Sequence, residues 1–125
     1  MEFRSRRFIK YEDLNPRGTL FGGRLLSFID EEAAIFTFCQ LGTKNVVTKF
    51  ISEINFLAPG KLGDVIELGM DVVEFGRTSI TLTCEVRNKE TKETIIKIDK
   101  IVFVNVDNDG KPTPHNLKEK FGGLV

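Results

Sequence analysis

The sequence predicts an α+β domain in which one long helix is wrapped by a curled antiparallel sheet of about five strands. Three observations lead there. One stretch of twenty residues, Phe21–Gln40, contains no proline. Four later stretches are rich in β-branched and aromatic residues. The gaps between them are mostly of hairpin length, and short connections imply antiparallel neighbours, because a parallel crossover needs about a dozen residues or more. At 125 residues the chain fits a single domain spanning residues 1–125, with residues 111–125 as a C-terminal extension.

Phe3–Ile9 reads as a short first strand. Phe21–Gln40 reads as helix because its only glycines, Gly22 and Gly23, stand at its start, and Gly42 follows its end. A helix of about 30 Å is long enough to cross a membrane. Asp30, Glu31 and Glu32, consecutive in its middle, exclude that role. The strands follow as Val46–Phe56, Asp64–Glu74, Ser79–Arg87 and Thr94–Val106, forming a meander. Alternation is clearest in the third, where Ile80, Leu82, Cys84 and Val86 share one face and Thr81, Thr83, Glu85 and Arg87 the other. Turn-forming residues separate them: Ala58-Pro59-Gly60, Phe75-Gly76-Arg77, Asn88–Glu93 and Asp107–Gly110.

Composition narrows the function. A hydrophobic fraction of 41% with 29% charged residues belongs to a folded domain. Eighteen basic and eighteen acidic residues cancel, so no global field attracts nucleic acid or an anionic membrane. Zero net charge with eleven phenylalanines favours self-association, hence a homo-oligomer. Cys39 and Cys84 lack metal-ligand spacing and form no readable disulfide framework, which suits a reducing compartment. Met1–Lys10 has three arginines but no apolar run of signal-peptide length, so the expected location is the cytoplasm, with no membrane insertion. Asp107-Asn108-Asp109-Gly110 begins like a calcium loop but lacks the closing glutamate, and reads as a β-turn. His115, the only histidine, lies in a proline-flanked tail and reads as a surface residue.

Asp30 is the first candidate for chemistry. Its helical face-mates Gly23, Leu26, Ser27, Ala33, Ala34 and Thr37 are mostly small, while Leu25, Phe28, Ile29, Ile35 and Phe36 carry bulk on other faces. Small residues around a carboxylate admit either another backbone or a substrate. Gly22 and Gly23 open the same helix, where unpaired amides attract anions and polarise carbonyl oxygens, or where a tight turn simply needs them.

The run Asn15-Pro16-Arg17-Gly18-Thr19-Leu20-Phe21-Gly22-Gly23, followed by Asp30-Glu31-Glu32-Ala33-Ala34, resembles the N-x-x-G-x-x-F-G-G … D-E-x-A block of hot-dog-fold acyl-CoA thioesterases, in the acyl-CoA hydrolase (YciA-like) branch. The resemblance continues through Val47-Thr48, Ile54-Asn55-Phe56, Pro59, Gly63-Asp64, Gly76-Arg77-Thr78-Ser79 and Asp109–Pro112. It implies hydrolysis of acyl-CoA to free acid and CoA, with no cofactor and no metal, CoA being part of the substrate. It implies dimers as the unit, and hexamers built as trimers of dimers are common in such proteins. Asp30 takes the place of the carboxylate acting as base or nucleophile, Asn15 of its polar partner across a dimer cleft, and Gly23 of the amide that polarises the carbonyl. Gly22 and the turn Arg77-Thr78-Ser79 take the place of CoA-contacting residues; Arg77 is either a phosphate partner or a solvated turn tip. Many such proteins carry a carboxylate where this chain has Ser52. The alternative is a non-catalytic acyl-CoA-binding or sensing module, in which the same cleft holds the ligand without turnover.

Overall fold

The computed structural model describes residues 1–120. Strand β1 (Glu2–Phe8) leads through a short 3-10 turn (Tyr11–Asp13) to helix α1 (Gly22–Leu41). Strands β2 (Val46–Ile51), β3 (Ile54–Phe56), β4 (Val65–Phe75), β5 (Ser79–Asn88) and β6 (Thr94–Asn105) follow. Helix α1 starts after Phe21 with no side-chain cap and ends at Gly42, whose left-handed φ of 70° places its N–H on Phe38 O at 2.8 Å. No described helix is long and apolar enough to cross a membrane.

All strand pairs are antiparallel, in the order β1-β4-β5-β6-β2, with β3 also on β6. The helix lies on the concave face. Leu25, Phe28, Ile29, Ala33 and Leu41 are buried there against Ile66 and Leu68 of β4, Ile80, Leu82, Cys84 and Val86 of β5, and Ile96, Ile98, Ile101 and Phe103 of β6. The alternation expected in β5 is the one observed. Burial and the neighbouring Glu85 charge push the Cys84 thiol up to about 12. Cys39 is half-buried, and neither cysteine is bonded to the other.

Two features depart from the sequence reading. The expected strand Val46–Phe56 is interrupted at Ser52-Glu53, yet its register on β6 carries through, with Ile51 opposite Ile101 and Ile54 opposite Ile98. Ser52 bridges the gap: its N–H donates to Lys100 O (2.9 Å) and its Oγ accepts the Lys100 N–H (3.0 Å). The second departure is topological, since only β4, β5 and β6 form a meander. The connection 57–64 was expected to be a turn between neighbours, but it carries the chain from the β6 side to β4, about 14 Å at three strand spacings. It does so by passing under the start of α1, where Gly60 O accepts the Leu20 N–H (2.8 Å) and the Gly63 N–H donates to Ile9 O (3.0 Å).

Two buried carboxylates tie the ends together. Asp13 is 1% exposed; its side chain accepts the Lys10 N–H (2.9 Å) and Arg24 Nε (2.8 Å), and its carbonyl accepts the Phe21 N–H (2.9 Å), fixing the entry to α1. Glu67, 2% exposed on the outer sheet face, accepts Arg87 Nε (2.7 Å) and Lys92 Nζ (3.2 Å), with Arg6 Nε at 3.5 Å. Burial pushes both carboxyls up. The Lys10 amide and Arg24 at Asp13, and Arg87 and Lys92 at Glu67, outweigh it and hold both below their ordinary values of 3.8 and 4.5. A lowered folded-state value gives stability that is complete above the unfolded value and is lost as pH falls through the folded one. The melting temperature is therefore expected to decline as pH falls below about 4.5, and Glu67→Gln to flatten that decline while lowering stability at pH 7 by about 1–3 kcal/mol. Thermal melts across pH 2–7 test this; an unchanged slope in the variant would contradict it.

Candidate active site

Asp30 lies on the flank of α1 that faces β2, and its carboxylate is exposed. Thr48 of β2 donates its hydroxyl to Asp30 Oδ1 at 2.8 Å. One carboxylate oxygen is thus held while the other stays available. Around Asp30 the helix surface is low, with Gly23 and Ser27 exposed and Ala34 half-buried.

The helix start is built by the preceding turn. Asn15 Oδ1 accepts the N–H groups of Arg17 (3.0 Å) and Thr19 (3.1 Å), and its Nδ2 donates to Thr19 Oγ1 (3.0 Å). Gly18 closes this turn at φ +83°. The first amides of α1, including those of Gly22 and Gly23, receive no side-chain cap. A Cβ at Gly23 would approach nothing closer than the Phe21 ring at 3.7 Å, so its surroundings are open. Below Gly22 lies a cavity of about 340 Å³, walled by Leu20, Leu25, Phe56, Leu57, Pro59 and Ile95 and by the backbone around Gly60.

The β4–β5 turn forms a second polar cluster. Gly76 N–H donates to Ser79 O (2.9 Å), and a Cβ at Gly76 would lie 2.3 Å from Ser79 Oγ. Arg77 is exposed, and Thr78 O accepts the Asn105 N–H (2.7 Å). His115, expected as a free surface residue, is half-buried over this turn: its N–H donates to Arg77 O (3.3 Å), and its Nδ1 accepts the Leu117 N–H (3.0 Å). That leaves Nε2 to donate to Ser79 O (2.8 Å). Arg77, His115, Asn116 and Lys118 border a cavity of about 280 Å³. Across the sheet, Ser79 stands opposite Val104, and Val104 opposite Val47, beside Thr48.

The expected residues therefore form three groups within one chain: Asp30 of α1 against Thr48 of β2, Asn15 with Gly22 and Gly23 at the helix start, and Arg77-Thr78-Ser79 at the hairpin. Gly23 and Asp30 are seven residues apart on one helix, about 10 Å. A further cavity, of about 570 Å³, opens on the opposite flank of α1 beside β1 and contains none of them. Among the described residues no three His, Cys, Asp or Glu side chains gather as metal ligands do. The sequence reading placed Thr48 in the Val47-Thr48 stretch of the resemblance but gave it no role, and it missed Asp13, signalled only by standing shortly before the helix.

Residues 17–95 match the thioesterase superfamily. The acyl-CoA thioester hydrolase YciA of Salmonella typhimurium is 36% identical over 108 residues, covering 82% of this chain and 80% of that one. The hexameric thioesterase y2039 of Yersinia pestis superposes with a TM-score of 0.82 at 30% identity, covering 90% and 93% of the two chains. The acyl-CoA hydrolase of Staphylococcus aureus, solved with butyryl-CoA, CoA and CoA disulfide, gives a TM-score of 0.78 at 31% identity over 88% and 66%. That hydrolase has also been solved with an aspartate, an asparagine or a threonine replaced by alanine.

The wall under the helix start has no spare volume: a Cβ at Gly60 would lie 2.7 Å from Ile9 Cδ1 and 3.3 Å from Leu20 Cβ. Gly60→Ala is expected to cost about 1–3 kcal/mol by overpacking. Urea unfolding measures it, and an unchanged midpoint would show that Ile9 and Leu20 yield freely.

Proposed function

The chain belongs to the thioesterase superfamily, and from that premise we propose that it is an acyl-CoA thioesterase that hydrolyses acyl-CoA to free fatty acid and CoA in the cytoplasm as a homo-oligomer. The observation that carries this reading is the Asp30 carboxylate, held by Thr48 on an open helix face whose uncapped start presents glycine amides. In the Staphylococcus aureus hydrolase, the aspartate and asparagine replaced by alanine stand fifteen positions apart, the separation of Asn15 and Asp30 here.

The thioester carbonyl lies against the Gly23 amide, which stabilises the oxyanion as it forms. Asp30 accepts a proton from water while the water oxygen attacks the carbonyl carbon. Collapse of the tetrahedral species breaks the C–S bond, and the CoA sulfur leaves with the proton that Asp30 returns. One protomer keeps Gly23 and Asp30 about 10 Å apart, too far for one carbonyl to use both. A second copy supplies the missing half. Phe21, Val47, Phe50, Phe56 and Leu57, all 50–58% exposed around this edge, give that copy an apolar surface to cover. Asn15 then supports the facing half from its turn. A dimer is thus the smallest complete unit, and a trimer of dimers is the larger assembly this reading favours. The Gly76–Ser79 turn, with Gly22, contacts CoA, and Arg77 supplies a cation for its phosphates. Residues 1–125 act as one domain in this reading; of the extension 111–125, residues 121–125 lie outside the described ones.

Asp30→Ala is expected to lower kcat by about 10²–10⁴-fold with the oligomer intact. Thr48→Val should lower kcat by a smaller factor and Thr48→Ser restore it, since serine keeps the donor. Thiol release from an acyl-CoA panel tests both. Tight binding with no thiol release from the wild type would instead establish a binding module. Arg77→Ala should raise KM more than it lowers kcat; unchanged constants in the same assay would return Arg77 to a solvated tip.

A further inference from the structure

We propose that the cavity of about 340 Å³ beneath the start of α1 receives the acyl chain, and that Phe56 and Ala58 make it selective for short to medium acyl groups; this rests on the thioesterase reading above.

The three cavities differ in chemistry. The 570 Å³ cavity combines apolar walls from Ile35, Phe36, Leu68 and Met70 with Glu2, Arg4, Glu32, Asp71 and Lys120, and the 280 Å³ cavity is bordered by Arg77, His115 and Lys118. A hydrocarbon chain entering either would pass charged groups and strip their water, and the 570 Å³ cavity holds neither Gly22, Gly23 nor Asp30. The cavity under α1 is lined only by apolar side chains and by glycine. Its mouth is at Gly22, one residue from the amide against which the thioester carbonyl lies, so a chain leaving that carbonyl enters it directly.

Its depth is limited. Leu25 and Ile95, each 2% exposed, belong to the core that closes the floor. The backbone at Gly60 is packed directly on Ile9 and Leu20, which leaves no room to extend beneath it. The Phe56 ring stands 3.4 Å from where a Gly22 Cβ would be and narrows the mouth. The volume sits near the lower end of the range for small-molecule sites, about 300–1,000 Å³. In the single chain Phe56 is 55% exposed and Ala58 half-buried, so both can be changed without opening the core; Phe56 also stands on the edge that a second copy covers, so an oligomer of unchanged size must accompany any shift the variants produce.

The test measures kcat/KM for acetyl-, butyryl-, octanoyl-, lauroyl- and palmitoyl-CoA, and Kd for non-hydrolysable thioether analogues of the same series and for free CoA. Wild type is expected to favour butyryl to octanoyl over palmitoyl by about tenfold, the scale of discrimination a hydrophobic pocket achieves. Phe56→Ala should move the optimum to longer chains and Ala58→Leu to shorter ones, in both kcat/KM and Kd. Equal changes at every length and for free CoA would assign the cavity to the pantetheine arm and overturn the proposal. So would a wild-type profile flat across length, or variants that leave the profile unmoved. Absence of hydrolysis, with length-dependent thioether binding still shifted by the two variants, would overturn the catalytic reading and leave the acyl cavity standing.

Discussion

Everything at the candidate site depends on how α1 is seated. Leu25, Phe28, Ile29, Ala33 and Leu41 form one bulky stripe, and the concave sheet face accepts only that stripe. Each residue advances the helix by about 100°, so a slip of one position would turn Asp30 away from Thr48 and push a charged or bulky side chain into the core. The rotation that satisfies the core is the one that places Asp30 beside β2. Because the bulk is used up on the buried face, the facing surface carries Gly23, Ser27 and Ala34, and the carboxylate is approachable from outside.

The axial position of the helix is fixed by a different set of contacts. Asp13 could have capped the helix start, as aspartates before helices often do. Instead its carboxylate is spent on Arg24 and the Lys10 amide, and only its carbonyl reaches Phe21 N–H. The opening amides of α1 therefore remain without a side-chain acceptor, a costly arrangement for a purely structural helix and a useful one where a carbonyl oxygen is to be bound. The same region is closed from below by the crossing segment 57–64, whose Gly60 carbonyl takes the Leu20 N–H. Chain topology thus supplies both the amides and the apolar wall beneath them.

The helix, the β5 alternation and the strand stretches were legible because each is periodic over many residues. The path of residues 57–64 was not: a short gap with proline and glycine reads as a hairpin, and the pairing of β3 with β6 is a long-range fact that no local pattern carries. Asp30 and the glycines were found by small-residue spacing, but only the motif from Asn15 to Ala34 attached chemistry to them. Thr48 stood in the motif without a role because a threonine in a strand is ordinary, and its meaning appears only when α1 packs across it. His115 was misplaced for the same reason, since a lone histidine after two prolines gives no sign that one ring nitrogen is bonded to the Ser79 carbonyl and the other to the Leu117 N–H.

The exposed edge links assembly to chemistry. β2 and β3 leave one side of the sheet unpaired, and Val47, Phe50 and Phe56 stand on that edge with Leu57 just beyond it and Phe21 at the nearby helix entry. A monomer would pay for this twice, through open strand hydrogen bonds and through apolar surface in water. The groups proposed for the reaction lie around the same edge: Asp30 reaches it through Thr48, and Gly22 through Phe56. In the proposed assembly, a second copy that covers the edge does two things with one surface. It would remove the cost of the open edge, and it would bring a second helix start towards each carboxylate. On that reading stability and catalysis draw on the same contacts, and selection for a stable assembly would keep the reacting groups in register without a separate scaffold.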